Sequence, residues 1–324
     1  VVRAIEEGGR TAEATTALWE QLEATGLADA LLSEDAGGAG LGLGQVFGVL
    51  EQCGAHALPL PLGETMVARA LLAQAGVARP AGSIALARGE HLANGGLRCA
   101  LVRSGQVAAA VLVQTGTEWR LLNTADAQGA AQALALDAAL TWTAVQVQAA
   151  PAVEVNGALD VRTLQAAVVA AQMAGALSSV FQRSLQYANE RQQFGRPIGK
   201  FQAIQHQLAV MSEHVFAARM AAQLGCSAGH DGMGVVPDRL RVATAKARCS
   251  EAALVVSELA HAIHGAIGFT EEYDLQLFTR RLHAWRQTAG SEAYWYGVAG
   301  EALLHHQGMT LDIVRRITDV DTVL

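Results

Sequence analysis

Apolar side chains recur at helical spacing towards both ends of the chain and alternate with polar ones in the middle. Over the segment Thr11 to Ala30, the positions Leu18, Leu22 and Leu27, with Leu31 just beyond, fall on one side, opposite a mixed-charge face, and predict a helix. The run Glu34-Asp35-Ala36-Gly37-Gly38-Ala39-Gly40-Leu41-Gly42 reads as a loop, because glycine at that density breaks helices. Further helices are expected over about Gly44–Gly54 and Glu64–Ala75, with Pro59 and Pro61 interrupting the chain between them. From Gly82 to Val155 short β-type runs take over: Ile84–Ala87, Ala100–Val102, Val107–Val113, Trp119–Leu122 and Thr141–Val147. Turn signals at Gly95-Gly96, Ser104-Gly105 and Gly116 separate them, and the Ala-rich stretch 129–139 fits helix or strand. From Val161 the helical period returns, in Leu164–Arg191, Phe201–Leu224 and a helix opened near Pro237 that runs to about Ile263. A Gly/Pro break at Gly195–Gly199 and a Gly-rich turn at 225–234 divide these helices. After Gly265–Gly268 come shorter helices over about Asp274–Arg281 and Ser291–His305. The order predicts an α+β protein: an N-terminal helical domain (1–81), a small central β domain (82–157) and a C-terminal part (158–324) long enough for a four-helix bundle.

Composition narrows the function classes. The 324 residues carry 23 Lys+Arg against 30 Asp+Glu, a formal charge of −7 without a cluster of five basic residues, so no nucleic-acid partner is expected. Apolar residues at 51% exclude a disordered chain, and charged residues at only 16% fit a surface partly covered by other subunits. Ala occurs 64 times and Lys twice, at Lys200 and Lys246, a bias that codon use in a GC-rich genome explains. Cys53, Cys99, Cys226 and Cys249 lack zinc-site spacing and are too few for a disulfide framework; buried free thiols in a reducing cytoplasm fit them best. The most apolar stretch, 163–181, is Ala-rich and carries Gln165, Gln172 and two serines, so no membrane span is expected. Glu6, Glu7, Glu13 and Glu20 do not fit a signal peptide, which makes a cytoplasmic location the expectation. No metal site is expected either, since His261 and His264, and the adjacent His305 and His306, have no acidic third ligand at suitable spacing.

The most specific segment runs from Tyr187 to His206 and contains Arg191-Gln192-Gln193-Phe194-Gly195-Arg196-Pro197-Ile198-Gly199-Lys200-Phe201-Gln202. A helix ends in an arginine, a Gly/Pro turn reverses the chain, and a new helix begins. Such a corner offers a guanidinium suited to bidentate pairing with phosphate, an aromatic ring and several amides. By chemistry alone, a plain helix–helix corner with a solvated arginine accounts for the same residues equally well.

This segment resembles the signature of the acyl-CoA dehydrogenase family, in which an Arg-x-x-Phe-Gly turn and a following Phe-Gln contact FAD. Two more stretches resemble that family, in the same order: the loop Leu32–Gly42, and Ile263-His264-Gly265-Ala266-Ile267-Gly268-Phe269-Thr270 followed by Glu272-Tyr273. The resemblance implies FAD-dependent α,β-dehydrogenation of an acyl-CoA thioester, with electrons passing to an electron-transfer flavoprotein or similar acceptor. It also implies a dimer or tetramer of like or unlike subunits. By resemblance, Arg191 binds the FAD pyrophosphate, Gln193 and Phe194 lie against the cofactor, and Gln202 hydrogen-bonds it. The Gly265–Gly268 backbone approaches the ADP part, and Gly290, Ser291 and Glu292 touch the flavin nucleotide. Ala262 stands where the family usually has Gln. His264 is expected to fix the Gly loop by a hydrogen bond.

The departures are as informative. In the family a Glu removes the α-proton while hydride leaves the β-carbon for the flavin. The two family positions for that Glu correspond here to Thr288 and Gln165, neither of which acts as a base near neutral pH. Glu292 and Glu301 read as surface or cap residues. The β domain is short, with Ala81-Gly82-Ser83 running directly into its first strand, and Trp119 and Trp142 fit a core role. Three readings follow: a catalytic dehydrogenase subunit, a non-catalytic subunit that completes FAD sites on a Glu-bearing homologue, or a redox-silent member of the family.

Overall fold

The computed structural model describes residues 2–7, 12–132, 134, 136–155, 159–227 and 234–318. The expected boundary at 157/158 and most of the Gly-rich turn at 225–234 lie outside them. In chain order the first elements are helices α1 (Val2–Glu7), α2 (Ala12–Glu23), α3 (Phe47–Ala55) and α4 (Leu62–Gln74). Strands follow: β1 (Ile84–Arg88), β2 (Glu90–His91), β3 (Leu97–Val102), β4 (Ala110–Thr115), β5 (Glu118–Asn123), β6 (Gln128–Ala131) and β7 (Ala138–Trp142). Then come α5 (Ala144–Ala149), α6 (Val161–Glu190), the short strands β8 (Gln192–Gln193) and β9 (Arg196–Pro197), α7 (Gln202–Cys226), α8 (Arg239–His264), α9 (Leu275–Gln287), α10 (Glu292–His305) and α11 (Thr310–Thr318). Packing divides the chain into two units: Val1–Val46 with Leu58–Gln165 and Gly232–Val236, and Phe47–Ala57 with Ala166–Asp231 and Pro237–Leu324.

In the first unit, α2 stops at Glu23 rather than near Ala30. Thr25 Oγ1 donates to Leu22 O (2.6 Å) and Gly26 turns left-handed at φ +73°, a helix-ending conformation that glycine adopts without strain. Arg69, buried on α4, ties this end down through Glu23 (2.6 Å) and Asp29 (3.1 Å). The strands form two sheets, β1-β4-β5 with β1 parallel to β4, and the antiparallel β2-β3-β7-β6. Their core includes Ala87, Leu97, Cys99, Val111, Val113 and Trp142, and the Trp142 indole donates to Asn123 O (2.8 Å). Trp119 is also buried, at 4% exposure, so both tryptophans are core residues as their spacing suggested. The run Thr141–Val147 is not one strand. β7 ends at Trp142, and Thr143 with Gln146 forms a capping box that opens α5. The ambiguous Ala-rich stretch is strand at both ends, where β6 pairs antiparallel with β7.

In the second unit, α3 crosses α6 at backbone distance. A Cβ on Gly54 would lie 1.8 Å from Gln172 O, and one on Gly175 would lie 1.8 Å from Glu51 O, so only glycine allows this approach. Ser179 Oγ donates to Ala55 O (2.7 Å), and Glu51 accepts from Arg219 Nε (2.6 Å). The bundle of α6, α7 and α8 closes over small side chains. The Cys226 and Cys249 thiols donate to Ala167 O and Ala170 O, and α8 begins at Asp238, whose carboxylate accepts from the Leu240 and Arg241 amides. None of the four cysteines forms a disulfide and all are buried, and burial pushes the Cys99, Cys226 and Cys249 thiols up to about 12. α9 extends beyond its expected end to Gln287, and α11 is a helix that the sequence pattern did not suggest. Two stretches, Val161–Glu190 and Arg239–Phe269, are long and apolar enough to cross a membrane; the apolar window of the first is 83% buried within the protein, as in a core helix.

Candidate functional site

The corner after α6 is a tight hairpin. Phe194 and Gly195 both lie in the left-handed region, at φ +51° and +76°, and form the two-residue turn that lets β8 pair with β9. Glycine does this freely; a bulky phenylalanine does so only when its surroundings hold it, and such outliers gather at functional sites. The Phe194 side chain is 92% exposed, its ring edge-on to Phe201 at 6.1 Å. The Arg196 guanidinium lies 4.1 Å over the Phe201 ring, and Ile198 N donates to Arg191 O (2.8 Å) to close the corner. The exposed Arg191 side chain has no ion pair or side-chain hydrogen bond among the described residues.

The facing wall is the end of α8. Gly265 takes φ +63° with open space where a Cβ would be, so its backbone is accessible. His264 fixes this loop as expected. Its Nδ1 meets Ala260 O (2.7 Å), its Nε2 meets the Tyr273 hydroxyl (3.2 Å), and its ring stacks on Tyr187 at 4.5 Å. Burial holds the His264 pKa below the ordinary imidazole value and so favours the neutral ring, in which Nδ1–H donates to Ala260 O and Nε2 accepts from Tyr273. His261 stacks on Phe269 at 4.4 Å, and burial, then the nearby His283, also holds its pKa down. Between the two walls lies a cleft of about 660 Å³ whose lining includes Arg191, Gln193, Phe194, Phe201, Ala262 and Gly265. Gln202 stands exposed at the start of α7, beside Phe201. Gly268 is a packing glycine, because its Cβ would come within 3.1–3.3 Å of His264, His261 and Leu275. An unpaired guanidinium, an open glycine backbone and a projecting aromatic ring in one cleft fit a dinucleotide with a pyrophosphate and flat rings.

Gly290, Ser291 and Glu292 do not line this cleft; they form the turn from α9 to α10. Ser291 caps α10, and Glu292 is held by Arg286, whose Nε donates at 3.0 Å. Burial opposes the Glu292 charge, but the Arg286 hydrogen bonds and charge prevail, with help from Lys246, and hold its pKa below the usual carboxylate value. A carboxylate held this way is a weak proton acceptor at neutral pH.

Both family base positions are closed. Thr288 is 2% exposed and its hydroxyl donates back to Ala284 O (3.1 Å). Gln165 is buried, and its amide donates to Leu86 O (3.1 Å) and Glu64 Oε1 (3.3 Å). Glu64 is a carboxylate that sequence reasoning passed over. It is 1% exposed on α4, paired with Arg103 (3.1 Å), and accepts from Leu86 N (2.8 Å). Burial raises its pKa against the opposing pull of Arg103 and the two hydrogen bonds. The available signal was a Glu in the mainly apolar run Leu60–Leu72, where Thr65 and Arg69 are the other polar residues.

The helical corner, the Gly loop and the α+β fold together define an acyl-CoA dehydrogenase-like protein. The family model described as "Acyl-CoA dehydrogenase, C-terminal domain" matches residues 160–304. The chain is 31% identical over 278 residues to the acyl-CoA dehydrogenase IpdE2 of Mycolicibacterium smegmatis, covering 84% of this chain and 83% of that protein. It is 30% identical over 310 residues to FadE34 of Mycobacterium tuberculosis, covering 90% of this chain and 42% of that one. A variant of the Tcur3481–Tcur3483 steroid ACAD superposes with a TM-score of 0.75 at 28% identity, covering 89% of this chain and 88% of the other. The chain belongs to the acyl-CoA dehydrogenase family, whose members are FAD-binding flavoproteins.

Proposed function

We propose that the chain is a subunit of an FAD-dependent acyl-CoA dehydrogenase in which another, Glu-bearing chain supplies the base. One observation carries this reading: both family base positions are buried and hydrogen-bonded within the chain, whereas the cofactor corner is open. Arg191 pairs with the FAD pyrophosphate, Gln193 and Phe194 lie against the cofactor, and Gln202 donates a hydrogen bond to it. The Gly265 backbone approaches the ADP part, while Gly268 packs the loop behind it. Gly290, Ser291 and Glu292, which lie outside this cleft, touch the flavin nucleotide of a site completed by another subunit. Bound FAD supplies the hydride acceptor for oxidation of the acyl thioester. The likeness to the paired Tcur3481–Tcur3483 steroid ACAD supports a mixed dimer or tetramer and bulky CoA thioesters as substrates. The same proposal includes lipid metabolism, an electron-transfer flavoprotein or similar acceptor, a cytoplasmic location and the three-segment organisation 1–81, 82–157 and 158–324.

The test is co-expression with a Glu-bearing homologue. The mixed assembly retains FAD and bleaches with a suitable acyl-CoA, and Arg191→Ala in this chain lowers flavin retention. Full FAD occupancy and turnover by this chain alone would refute the reading.

A further inference from the structure

Lys246 is one of two lysines in a chain whose other basic residues are all arginine, and the only one of the two that is buried, at 0% exposure on α8. Its ammonium donates to Ser250 Oγ, Arg286 O and Gly290 O, each at 2.9 Å. Three donors on one compact nitrogen thus meet three acceptors. A planar guanidinium, with five donors in a rigid fork, does not match that arrangement. Two of the acceptors are main-chain carbonyls at either side of the α9–α10 turn.

That turn is not an ordinary one. Ala289 is left-handed at φ +56°, and Gly290 lies at φ +103° with Tyr294 Cδ1 only 2.7 Å from where a Cβ would stand. A side chain in such a conformation persists only where its surroundings over-determine it. Here the Trp295 indole donates to Ala289 O (3.0 Å), Arg286 grips Glu292, and Lys246 holds Arg286 O and Gly290 O from below. The residues immediately after the held Gly290 carbonyl are Ser291 and Glu292.

We propose that Lys246 is a positioning residue for the flavin nucleotide: its ammonium holds the α9–α10 turn in the shape that presents Gly290, Ser291 and Glu292. This rests on the preceding reading, in which those three residues touch the nucleotide. The Lys246 charge also favours the ionised form of Glu292.

The test uses the full chain in whichever assembly retains FAD. Lys246→Met keeps the length of the side chain and removes its donors and charge. Two readouts are taken at a temperature well below melting: hydrogen exchange of the Trp295 indole N–H, which reports the turn directly, and the dissociation constant for FAD by fluorescence quenching. Lys246→Met is expected to speed indole exchange and to weaken FAD about tenfold or more. Arg191→Ala is expected to weaken FAD and leave the indole protected. A folded Lys246→Met with faster exchange, a lower melting temperature and unchanged FAD affinity assigns Lys246 to stability alone and overturns the proposal, as does unchanged exchange. If Arg191→Ala leaves FAD affinity unchanged, the flavin-site reading fails instead, whatever Lys246→Met does to the turn. Should Lys246→Met not fold, Ser250→Ala, which removes one acceptor, is read by the same two measurements, with a smaller loss of both expected.

Discussion

Gln165→Glu places a carboxylate where some members of the family carry their base, and the neighbours of Gln165 decide what it does there. The Gln165 amide nitrogen is 3.3 Å from Glu64 Oε1 and 3.1 Å from Leu86 O, in a site where Glu64 is already paired with Arg103. A second negative charge at that separation costs about 5 kcal/mol at an effective dielectric of about 20. The new carboxyl therefore stays protonated near neutral pH, its hydroxyl replacing one of the two amide donations. The acceptor left over adds about 1–3 kcal/mol of destabilisation at every pH. The pH dependence has a definite sign. The folded-state pKa of the new group lies above its unfolded value of about 4.3, so the folded state binds the extra proton and stability falls as pH rises. The slope is about 1.4 kcal/mol per pH unit, which accumulates to about 3.7 kcal/mol by pH 7. Urea denaturation of variant and wild type at about pH 4.5 and about pH 7 reads this directly, since the gap in unfolding free energy widens at the higher pH. The double variant Gln165→Glu with Glu64→Gln exchanges donor and acceptor and recovers most of the loss. No acyl-CoA turnover is gained by the single variant. A pH-independent stability gap, or the appearance of dehydrogenase turnover, would refute the reasoning.

Gly175→Ala drives a methyl into Glu51 O at the α3–α6 crossing and is expected to cost about 1–3 kcal/mol or more in chemical denaturation. Asp238→Ala removes the N-cap of α8, for an expected loss of about 1–2 kcal/mol at neutral pH. Burial opposes the Asp238 charge, but the Arg241 and Leu240 amides and Arg316 hold its pKa below the usual value, so the unfolded chain binds the proton more readily. Its contribution is therefore present above the unfolded value and fades in acid as pH falls through the folded one, narrowing the gap between Asp238→Ala and wild type. Tyr273→Phe removes the hydroxyl donated to His264 Nε2 and with it one of the contacts favouring neutral imidazole. The His264 pKa, followed by NMR titration, is expected to rise.

The sequence pattern places the long helices and most strands within a few residues, because burial of one face imposes a period that composition alone does not hide. α5 was not legible, since Thr143 and Gln146 start a helix only once their side chains cap each other, inside a stretch whose residues favour strand. The corner at Arg191 and the loop at Gly265 were legible as motifs, and the structure brings both to one cleft. Two features were not. The Phe194 turn conceals its left-handed geometry behind a residue that does not favour it. The Glu64–Arg103–Gln165 network joins side chains 39 and 101 positions apart, a pairing that no local pattern reveals. The absence of a carboxylate at 165 and 288 was readable. The physical reason those positions are closed, an amide committed to Glu64 and a hydroxyl committed to Ala284, required coordinates.

The most direct measurement is anaerobic flavin absorbance of this chain, purified alone and purified with a Glu-bearing homologue, before and after addition of an acyl-CoA. The expected result is no substrate-dependent bleaching by the chain alone and bleaching by the pair, abolished when the homologue's Glu is replaced. Bleaching and turnover by the chain alone would contradict the claim that its base is supplied from elsewhere.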